Sequence, residues 1–215
     1  MIDDANRYIK DKFHLTSTKQ RIGIPGFTRD DMARLFGELG YKTGAEIGVR
    51  EGKFSETLCK SNPDVKLYCI DLWRPYEEYV CSPQFANHDK NYDRAKKRLS
   101  QYNCEFIPKS STDAVKDFAD NSLDFIYIDA NHKFEYVVAD LAAWYPKVRN
   151  GGIISGHDYK KFMTQHPTIG VKQAVDGFCS AYQIIPYYIF QTRCADRHMP
   201  NRCGSFMWVK GPCLI

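Results

Sequence analysis

Three observations predict an α/β fold in which a doubly wound, mostly parallel sheet of seven strands carries helices on both faces. Short apolar runs alternate with amphipathic segments through residues 41–181, as in parallel sheets connected by helices. The run LDFIYID at 123–129 shows no alternation of apolar and polar residues, which indicates a strand buried on both faces. The last two apolar runs, 184–192 and 205–211, leave too little chain between them for a crossover helix. An antiparallel C-terminal strand is therefore expected.

Length and composition predict one domain. The chain has 215 residues, of which 43% are hydrophobic, enough to bury a full core. Residues 1–215 are therefore predicted to form a single domain, with a helical N-terminal cap or lid over 1–40 and the core over 41–215. The 30 basic and 26 acidic residues are scattered, so the charge does not indicate a nucleic-acid partner.

The N-terminus and the cysteines indicate a cytoplasmic protein. The opening MIDDANRYIKDKF has acids and lysines where a signal peptide has an apolar run. No window approaches the ~20 apolar residues of a membrane span, so no membrane partner is expected. The eight cysteines form no Cys-x-x-Cys pair, which favours reduced core thiols over a disulfide framework or a zinc site. For the cysteines at 194–213, a disulfide and a zinc site both stay open.

Apolar periodicity places the individual elements. Helices are predicted at 5–13, from Asp30 or Asp31 to 39, from Ser55 onward, and at 93–99, 110–118, 134–148 and 171–181. Before the final two strands, five are predicted at 45–49, 65–73, 104–110, 123–129 and 152–156. For the 134–148 helix, the terminator is Asn150-Gly151-Gly152, and the predicted buried face comprises Phe134, Val138, Leu141, Tyr145 and Val148.

Polar residues follow every predicted parallel strand. In an open parallel sheet the carboxyl ends of the strands lie at one edge, and ligands bind there near the switch in strand order. Polar side chains at five strand ends therefore predict a binding site along this edge. These residues are 46–52, Asp71, Ser110 and Ser111, Asp129 with His132, and His157 with Asp158.

The glycines and the acid at position 71 indicate a ligand that contains a ribose. Gly48 and Gly52 follow the first strand of the core, where the lack of a side chain lets a ligand lie against the peptide. Asp71 comes 23 positions after Gly48, near the ~20-residue offset at which a carboxylate meets ribose hydroxyls. The spacing Gly48-x-x-x-Gly52 differs from the Gly-x-Gly-x-x-Gly of dinucleotide sites, and Gly-x-x-x-x-Gly-Lys-Ser/Thr is absent. The predicted ligand therefore lacks a polyphosphate.

Residues 41–160 resemble the class I S-adenosylmethionine-dependent methyltransferases, a family with a Rossmann-like fold. AEIGVREGKFS is similar to the glycine motif of that family, LYCIDLW to its second-strand acid motif, and IPKSSTDAV to its adenine-contacting segment. The stretch DFIYIDANHKFEYVVADLAAWYPKVRNGGIISGHDY is similar to its fourth and fifth strands. Within it, IDxxH, GG and HDY resemble the branch that methylates hydroxyl oxygens of small molecules and sugars. The resemblance implies an S-adenosylmethionine-dependent O-methyltransferase.

The resemblance also implies a role for each residue at the sheet edge. Metal-dependent members hold a divalent ion with the fourth-strand acid and two acids after the fifth strand. Here the corresponding residues are Asp129, His157 and Asp158, so an imidazole replaces one carboxylate, and the implied ion is Mg or Mn. The cofactor's methionine part is expected near Glu46, Gly48, Gly52 and Ser55, and its ribose on Asp71. Its adenine is expected between Leu72 or Trp73 and Ser110 or Ser111. Asp129 is expected to lie beside the cofactor.

The implied chemistry is methylation of a sugar hydroxyl in a glycan or glycosylated metabolite, for example on a deoxysugar such as rhamnose. A sugar hydroxyl has a pKa far above neutrality, so it needs a positioned base or a metal. If no ion is bound, His132 or His157 is expected to act as the base that removes this proton. The sequence does not indicate an oligomeric state. The catalytic set is Asp129, His132, His157 and Asp158.

The same residues also have structural interpretations. The aromatic insertion at 74–92 either packs in the core or forms a wall against an acceptor sugar, through Tyr76, Tyr79, Phe85 and Tyr92. Purely structural roles for the strand-end residues are helix caps at Asp129 and Ser111, a backbone hydrogen bond of His132, and ion pairs of His157 and Asp158 with Lys160 or Lys161.

Three functions of different classes compete with the O-methyltransferase. A nucleic-acid methyltransferase is disfavoured because the Asn/Asp-Pro-Pro-Tyr/Phe signature of amino-group methylation is absent after the fourth strand, where IDANH stands. A non-catalytic module that binds the cofactor or scaffolds a partner would keep its function after loss of Asp129 and Asp158. A nicotinamide oxidoreductase is disfavoured by the glycine spacing.

Overall fold

The computed structural model describes residues 2–74, 88–159, 169–191 and 204–211. The helices within these ranges are α1 Ile2–Lys12, α2 Arg29–Glu38, α3 Lys53–Ser61, α4 His88–Leu99, α5 Ser111–Ala114, α6 Phe134–Trp144 and α7 Val171–Ala181, with 3₁₀ turns at Val115–Asp117 and Tyr145–Lys147. The strands are β1 Arg21–Pro25, β2 Thr43–Ile47, β3 Lys66–Ile70, β4 Cys104–Ile107, β5 Leu123–Ile128, β6 Val148–Tyr159, β7 Tyr187–Gln191 and β8 Gly204–Val209.

The strands form one sheet in the order β1-β7-β8-β6-β5-β2-β3-β4. Strand β8 runs antiparallel to both of its neighbours, β6 and β7. The remaining pairs of neighbouring strands are parallel. The predicted doubly wound, mostly parallel sheet with an antiparallel C-terminal strand is confirmed.

The sheet has eight strands in the described residues, so the predicted number of seven is wrong by one. The additional strand is β1, which lies between the helices predicted at 5–13 and from Asp30 or Asp31, where the sequence predicts no strand. Ile22 and Ile24 alternate with exposed residues in β1, which pairs with β7 so that Arg21 lies opposite Tyr187. Two apolar residues in five are too weak a pattern to indicate a strand whose partner lies so far along the chain.

Two hydrophobic cores lie on opposite faces of the sheet. On one face, α1 to α4 pack against strand residues that include Phe125 and Tyr127. On the other, α5 to α7 pack against Ile126 and Ile128. Successive residues of β5 therefore face different helical layers, which is why its sequence is apolar without alternation.

The predicted buried face of α6 is wrong in part. Phe134 is 50% exposed, whereas Leu141 and Trp144 are buried. The helix ends at Trp144 and β6 begins at Val148, so the predicted terminator at 150–152 belongs to a strand. The sequence carries apolar residues on two adjacent stripes of this helix, and packing against the sheet selects one of them.

The start of α2 differs from the prediction by two or three residues. Thr28 is the N-cap, and its hydroxyl accepts a hydrogen bond from the backbone N–H of Asp30. Asp31 accepts one from the backbone N–H of Thr28 at 2.7 Å, which completes a capping box. This end of α2 is therefore fixed, with Arg29 in its first turn.

Four cysteines lie in the described residues, and all four are free thiols: Cys59, Cys69, Cys104 and Cys179. The remaining cysteines, including those of the 194–213 group, lie outside the described ranges. None of the described helices is long and apolar enough to cross a membrane.

The switch in strand order lies at β2, which pairs with β3 on one side and β5 on the other. A crevice opens between the loops at the carboxyl ends of strands on either side of such a switch. The loops after β2 and β5 approach closely at Gly48, where an added Cβ would lie 2.3 Å from the backbone oxygen of Asp129. Gly48 also has a φ of 96°, a conformation that favours glycine.

We expect Gly44→Ala to destabilise the protein by about 1–3 kcal/mol. An added Cβ would lie 2.1–2.4 Å from the ring of Phe125, which stacks on Phe36 with ring centroids 4.4 Å apart. Thermal unfolding followed by circular dichroism measures the change.

The control for this substitution is Gly177→Ala in α7. The Cβ added there meets nothing within 4 Å, and alanine favours a helix over glycine by about 0.5–1 kcal/mol. Gly177→Ala should therefore unfold at the same or a higher temperature than the unmodified protein. Equal unfolding temperatures for the two variants would contradict this packing account.

Candidate active site

A cavity of about 630 Å³ lies at the carboxyl ends of β2 to β6. Most residues predicted for the site line this cavity. Gly52 and Ser55 do not: Gly52 caps α3 with a φ of 73°, and Ser55 is fully buried behind the cavity wall. The predicted residues that line it are Glu46, Gly48, Asp71, Leu72, Trp73, Ser110, Ser111, Asp129, His132, His157 and Asp158.

Glu46 is a buried acid at the end of β2. It is 2% exposed, and its carboxyl group accepts a hydrogen bond from the Ser55 hydroxyl. Burial raises the pKa of Glu46 to about 8, against the opposing effect of that hydrogen bond, and the charge of Asp129 adds to the rise. Ser55 therefore acts on the site through Glu46 rather than from the cavity surface.

Asp71 holds together the loops that follow β2 and β3. One carboxylate oxygen accepts the backbone N–H of Arg50 at 2.8 Å, and the other accepts that of Trp73 at 2.9 Å. The Trp73 indole donates a hydrogen bond to the Arg50 carbonyl at 2.8 Å. Arg50 and Trp73 both have positive φ angles, 53° and 42°, so this network stabilises strained backbone. Each carboxylate oxygen keeps lone-pair capacity for a further donor.

Trp73 forms part of the cavity wall and packs on Tyr92 of α4, with ring centroids 4.7 Å apart. This contact favours the packing interpretation for Tyr92. The remaining aromatic residues predicted for a sugar wall, Tyr76, Tyr79 and Phe85, lie outside the described residues.

Two acids and an imidazole converge where β5 and β6 end. His132 Nε2 lies 3.4 Å from Asp129 Oδ1 and 3.0 Å from Asp158 Oδ2. Asp129, His132 and Asp158 each offer one ligand atom, a carboxylate oxygen or a ring nitrogen. These three atoms lie within 4.8 Å of one another, close enough to hold a metal ion. Asp158 has a φ of 57°, an unusual conformation for a residue with a side chain. Asp129 does not cap α6, whose N-cap is Lys133.

His157 lies beside this trio of Asp129, His132 and Asp158. Its Nδ1 is 3.4 Å from Asp158 Oδ1 and 3.9 Å from Asp129 Oδ1. The residues predicted to bind a metal, Asp129, His157 and Asp158, are thus neighbours, and His132 is the imidazole nearer to both acids. Lys160 and Lys161, predicted as their partners in a structural role, lie outside the described residues.

Arg29 lines the cavity, although no sequence motif indicates it. Its Nη1 lies 3.5 Å from Asp129 Oδ2, and its guanidinium carbon lies 4.9 Å from the centre of the Phe54 ring. The two oxygens of Asp129 therefore face different partners, with Oδ1 towards the imidazoles and Oδ2 towards the arginine. The position of Arg29 depends on the packing of α2, which sequence periodicity does not specify.

Ser110 and Ser111 have different roles after β4. Ser110 is the N-cap of α5, since its hydroxyl accepts a hydrogen bond from the backbone N–H of Asp113. Ser111 instead donates its hydroxyl to Asp140 Oδ1 and accepts from the Trp144 indole at 2.8 Å. The helix-cap interpretation of Ser111 is therefore wrong. Asp140 also lines the cavity, and sequence reasoning misses it because its neighbours in the helix, from Val137 to Trp144, are apolar.

The fold and this crevice are those of a doubly wound α/β protein with a candidate ligand site at the carboxyl ends of its strands. A family model described as a methyltransferase domain matches residues 45–159, more than half of the chain. The chain therefore belongs to this methyltransferase family, and the resemblance to class I methyltransferases is confirmed.

Solved structures share the fold at low sequence identity, and one further protein is similar in sequence over part of the chain. The O-methyltransferase from Bacillus cereus, solved in complex with SAH, is 15% identical and superposes with a TM-score of 0.63 over 97% of this chain and 90% of that one. An rRNA methylase from Streptococcus thermophilus is 13% identical, with a TM-score of 0.57 over 85% and 94%. The uncharacterised protein y4gI of Sinorhizobium fredii is 24% identical over 121 residues, which cover 54% of this chain and 12% of that protein.

We expect Glu46→Gln to flatten the dependence of stability on pH. Burial raises the Glu46 pKa to about 8 from 4.5, so the folded protein keeps a proton that the unfolded chain releases. The stability due to this group is fully present below pH 4.5 and is lost as the pH rises through 8. The loss is on the order of a few kcal/mol, and a glutamine does not incur it.

Melting temperatures between pH 5 and pH 9 test this expectation. Glu105→Gln, at an exposed position on β4, makes the same change in formal charge and is the control. Parallel pH profiles for Glu46→Gln and the unmodified protein would contradict the burial account of Glu46.

Proposed function

We propose that the protein is an S-adenosylmethionine-dependent O-methyltransferase that methylates a hydroxyl of a sugar, in a glycan or a glycosylated metabolite. The observation that carries this proposal is the trio of Asp129, His132 and Asp158 at one end of the cavity. Two carboxylates and an imidazole suit the activation of a hydroxyl, which is a poor nucleophile until its proton is removed.

The order of the strand ends supports S-adenosylmethionine as the methyl donor. Strands β5, β2, β3 and β4 are consecutive neighbours in the sheet. Glu46 at β2, Asp71 at β3 and Ser111 after β4 therefore follow one another along the cavity, as the methionine, ribose and adenine parts of the cofactor do. The carboxylate oxygens of Asp71 retain acceptor sites for two ribose hydroxyls. The fold neighbour from Bacillus cereus was solved with SAH, the product form of this cofactor.

The residues at β5 and β6 prepare the acceptor. The acceptor oxygen attacks the methyl carbon as the carbon–sulfur bond breaks, so the main task is to hold that oxygen in line at near-attack distance. Without an ion, His132 or His157 takes the hydroxyl proton. As the alternative, Asp129, His132 and Asp158 would hold Mg or Mn, which would lower the pKa of the hydroxyl. Arg29 orients Asp129 through its second oxygen.

A polar and aromatic lining supports a sugar as the acceptor. Phe54 lies in the cavity wall, together with Asn91 and Arg29. Amide and guanidinium groups hydrogen-bond to hydroxyls, while aromatic rings pack against the apolar face of a sugar ring. Asn91 is 5% exposed, which suits a group that orients a ligand. A nucleic acid would be favoured by a broad basic surface rather than by this enclosed set.

Turnover assays that follow S-adenosylhomocysteine formation test the acceptor class. Nucleoside-diphosphate sugars, free glycosides and glycosylated metabolites form the main panel, with catechols and an RNA stem-loop as comparison acceptors. Turnover on members of the sugar panel supports the proposal. Turnover on RNA alone, or on catechols alone, would contradict the sugar acceptor while leaving the methyltransferase reaction in place.

We expect Asp71→Asn to weaken S-adenosylhomocysteine binding by roughly 10- to 100-fold, since hydrogen bonds to charged groups contribute about 1.5–3 kcal/mol. Calorimetric titration measures the change. Asp64→Asn is the control, because Asp64 is an exposed acid outside the cavity lining whose side chain pairs with Lys42. Equal affinities for Asp71→Asn and the unmodified protein would remove Asp71 from the ribose site.

We expect Asp158→Asn to bind S-adenosylhomocysteine within about threefold of the unmodified protein while losing turnover by a factor on the order of 10²–10⁴. Asp158 contacts the imidazoles of His132 and His157 rather than the strand ends assigned to the cofactor. Titration with Mn²⁺ reports separately on the metal trio. A tenfold loss of cofactor affinity would contradict this division of roles, and full turnover would favour a non-catalytic trio.

A further inference from the structure

Asp140 is a buried acid on α6 without a basic partner among the described residues. It is 4% exposed, in a helix whose remaining buried residues are Val137, Leu141 and Trp144. Within the described ranges, Ser111 is the residue that donates a hydrogen bond to its carboxylate, and no basic side chain pairs with it. Burying a carboxylate without a cation is costly unless further donors satisfy it. Packing alone therefore does not explain an acid at this position.

A chain of hydrogen bonds fixes the orientation of the Asp140 carboxylate. The Trp144 indole donates to the Ser111 hydroxyl at 2.8 Å, and that hydroxyl donates its proton to Asp140 Oδ1. A serine hydroxyl has one proton to donate. Ser111 is therefore committed to Asp140, and Oδ2 is the carboxylate oxygen left for another donor.

A hydrogen-bond donor for Asp140 Oδ2 would have to come from a ligand in the cavity. Asp140, Ser111 and Ala139 line the cavity, and the hydrogen bond from Ser111 places the Asp140 carboxylate beside the residue that follows β4. Lys109 also lines the cavity, but its ammonium group pairs with Asp117 at 2.6 Å. The cavity thus offers a fixed, buried acceptor at the end assigned to the nucleobase.

The charge state of Asp140 agrees with this geometry. Burial raises its pKa to about 6, against the opposing hydrogen bond from Ser111. At neutral pH the carboxylate is therefore mostly ionised and accepts hydrogen bonds only. A ligand group that donates a hydrogen bond would satisfy it, and one that offers only an acceptor would be repelled.

We propose that Asp140 determines the nucleobase specificity of the cofactor site, by accepting a hydrogen bond from the 6-amino group of adenine. This inference rests on the proposed use of S-adenosylmethionine. A site built to bond an amino group rejects a base that lacks it, because the buried carboxylate is then left without its donor. Ser111 is a positioning residue in this account, since it acts on the base through Asp140.

Calorimetric titration with two ligands of nearly equal size tests the assignment. One is S-adenosylhomocysteine, and the second is its 6-deamino analogue, which carries hydrogen in place of the amino group. The unmodified protein should bind S-adenosylhomocysteine at least about tenfold more tightly than the analogue. In Asp140→Ala the ratio should fall below about threefold, through loss of S-adenosylhomocysteine affinity alone.

The analogue also reports whether the variant is folded. It makes no use of the carboxylate, so Asp140→Ala should bind it as the unmodified protein does, and alanine suits the helix interior. A preserved tenfold ratio in Asp140→Ala would overturn the inference, and so would loss of both ligands or equal binding of both by the unmodified protein. A ratio that falls in Ser111→Ala but survives in Asp140→Ala would assign the amino group to Ser111 instead.

Failure of this inference is distinguishable from failure of the proposed function. If the unmodified protein binds neither ligand, S-adenosylmethionine is not its cofactor and the proposed function fails. If it binds both with an unchanged ratio in Asp140→Ala, the cofactor assignment stands and Asp140 has only a structural role.

Discussion

The close approach of the loops after β2 and β5 determines the geometry of the whole site. The backbone N–H of Gly48 donates to the Ile70 carbonyl, and that of Asp129 donates to the Ile47 carbonyl, both at 2.8 Å. These bonds continue the sheet's hydrogen bonding past the last paired residues. A Cβ at Gly48 would overlap the Asp129 backbone, so a side chain there would displace Asp129, and with it the trio of Asp129, His132 and Asp158, from the strand ends that we assign to the cofactor. The lack of a side chain at Gly48 therefore lets the loops after β2 and β5 lie in direct contact, which fixes the positions of the two parts of the site relative to each other.

The charges around this contact agree with the proposed cofactor. Acids stand at the strand ends that line the cavity, at Glu46, Asp71, Asp129 and Asp158, and a further acid, Asp140, lines it from α6. The lining also holds cations, of which Arg29 pairs with Asp129, Lys53 with Glu51 and Lys109 with Asp117. Burial keeps Glu46 protonated near neutral pH, which reduces the repulsion among the acids. The acids at the strand ends suit the positive sulfonium and amino group of S-adenosylmethionine.

Strong local patterns in the sequence predict part of this structure, but they do not predict the parts that depend on packing between distant elements. The unalternating run at β5 and the polar strand ends locate the sheet and most of the predicted site residues, because strand burial and loop position follow directly from the order of residues. The sequence does not predict strand β1, because the strand that it pairs with is distant in the chain. The sequence does not predict Arg29 and Asp140 as site residues, because their contacts depend on how α2 and α6 pack against the sheet. The buried face predicted for α6 is wrong for the same reason.

The most direct test of the central claim is calorimetric titration of the unmodified protein with S-adenosylmethionine and S-adenosylhomocysteine, with and without Mg²⁺ or Mn²⁺. The account predicts binding of both forms at one site with micromolar affinity, because we assign the neighbouring ends of β2, β3 and β4 to the methionine, ribose and adenine parts. Metal should change turnover more than it changes cofactor affinity, since the trio lies at the acceptor end. A folded protein that binds neither form, with or without metal, would contradict the account.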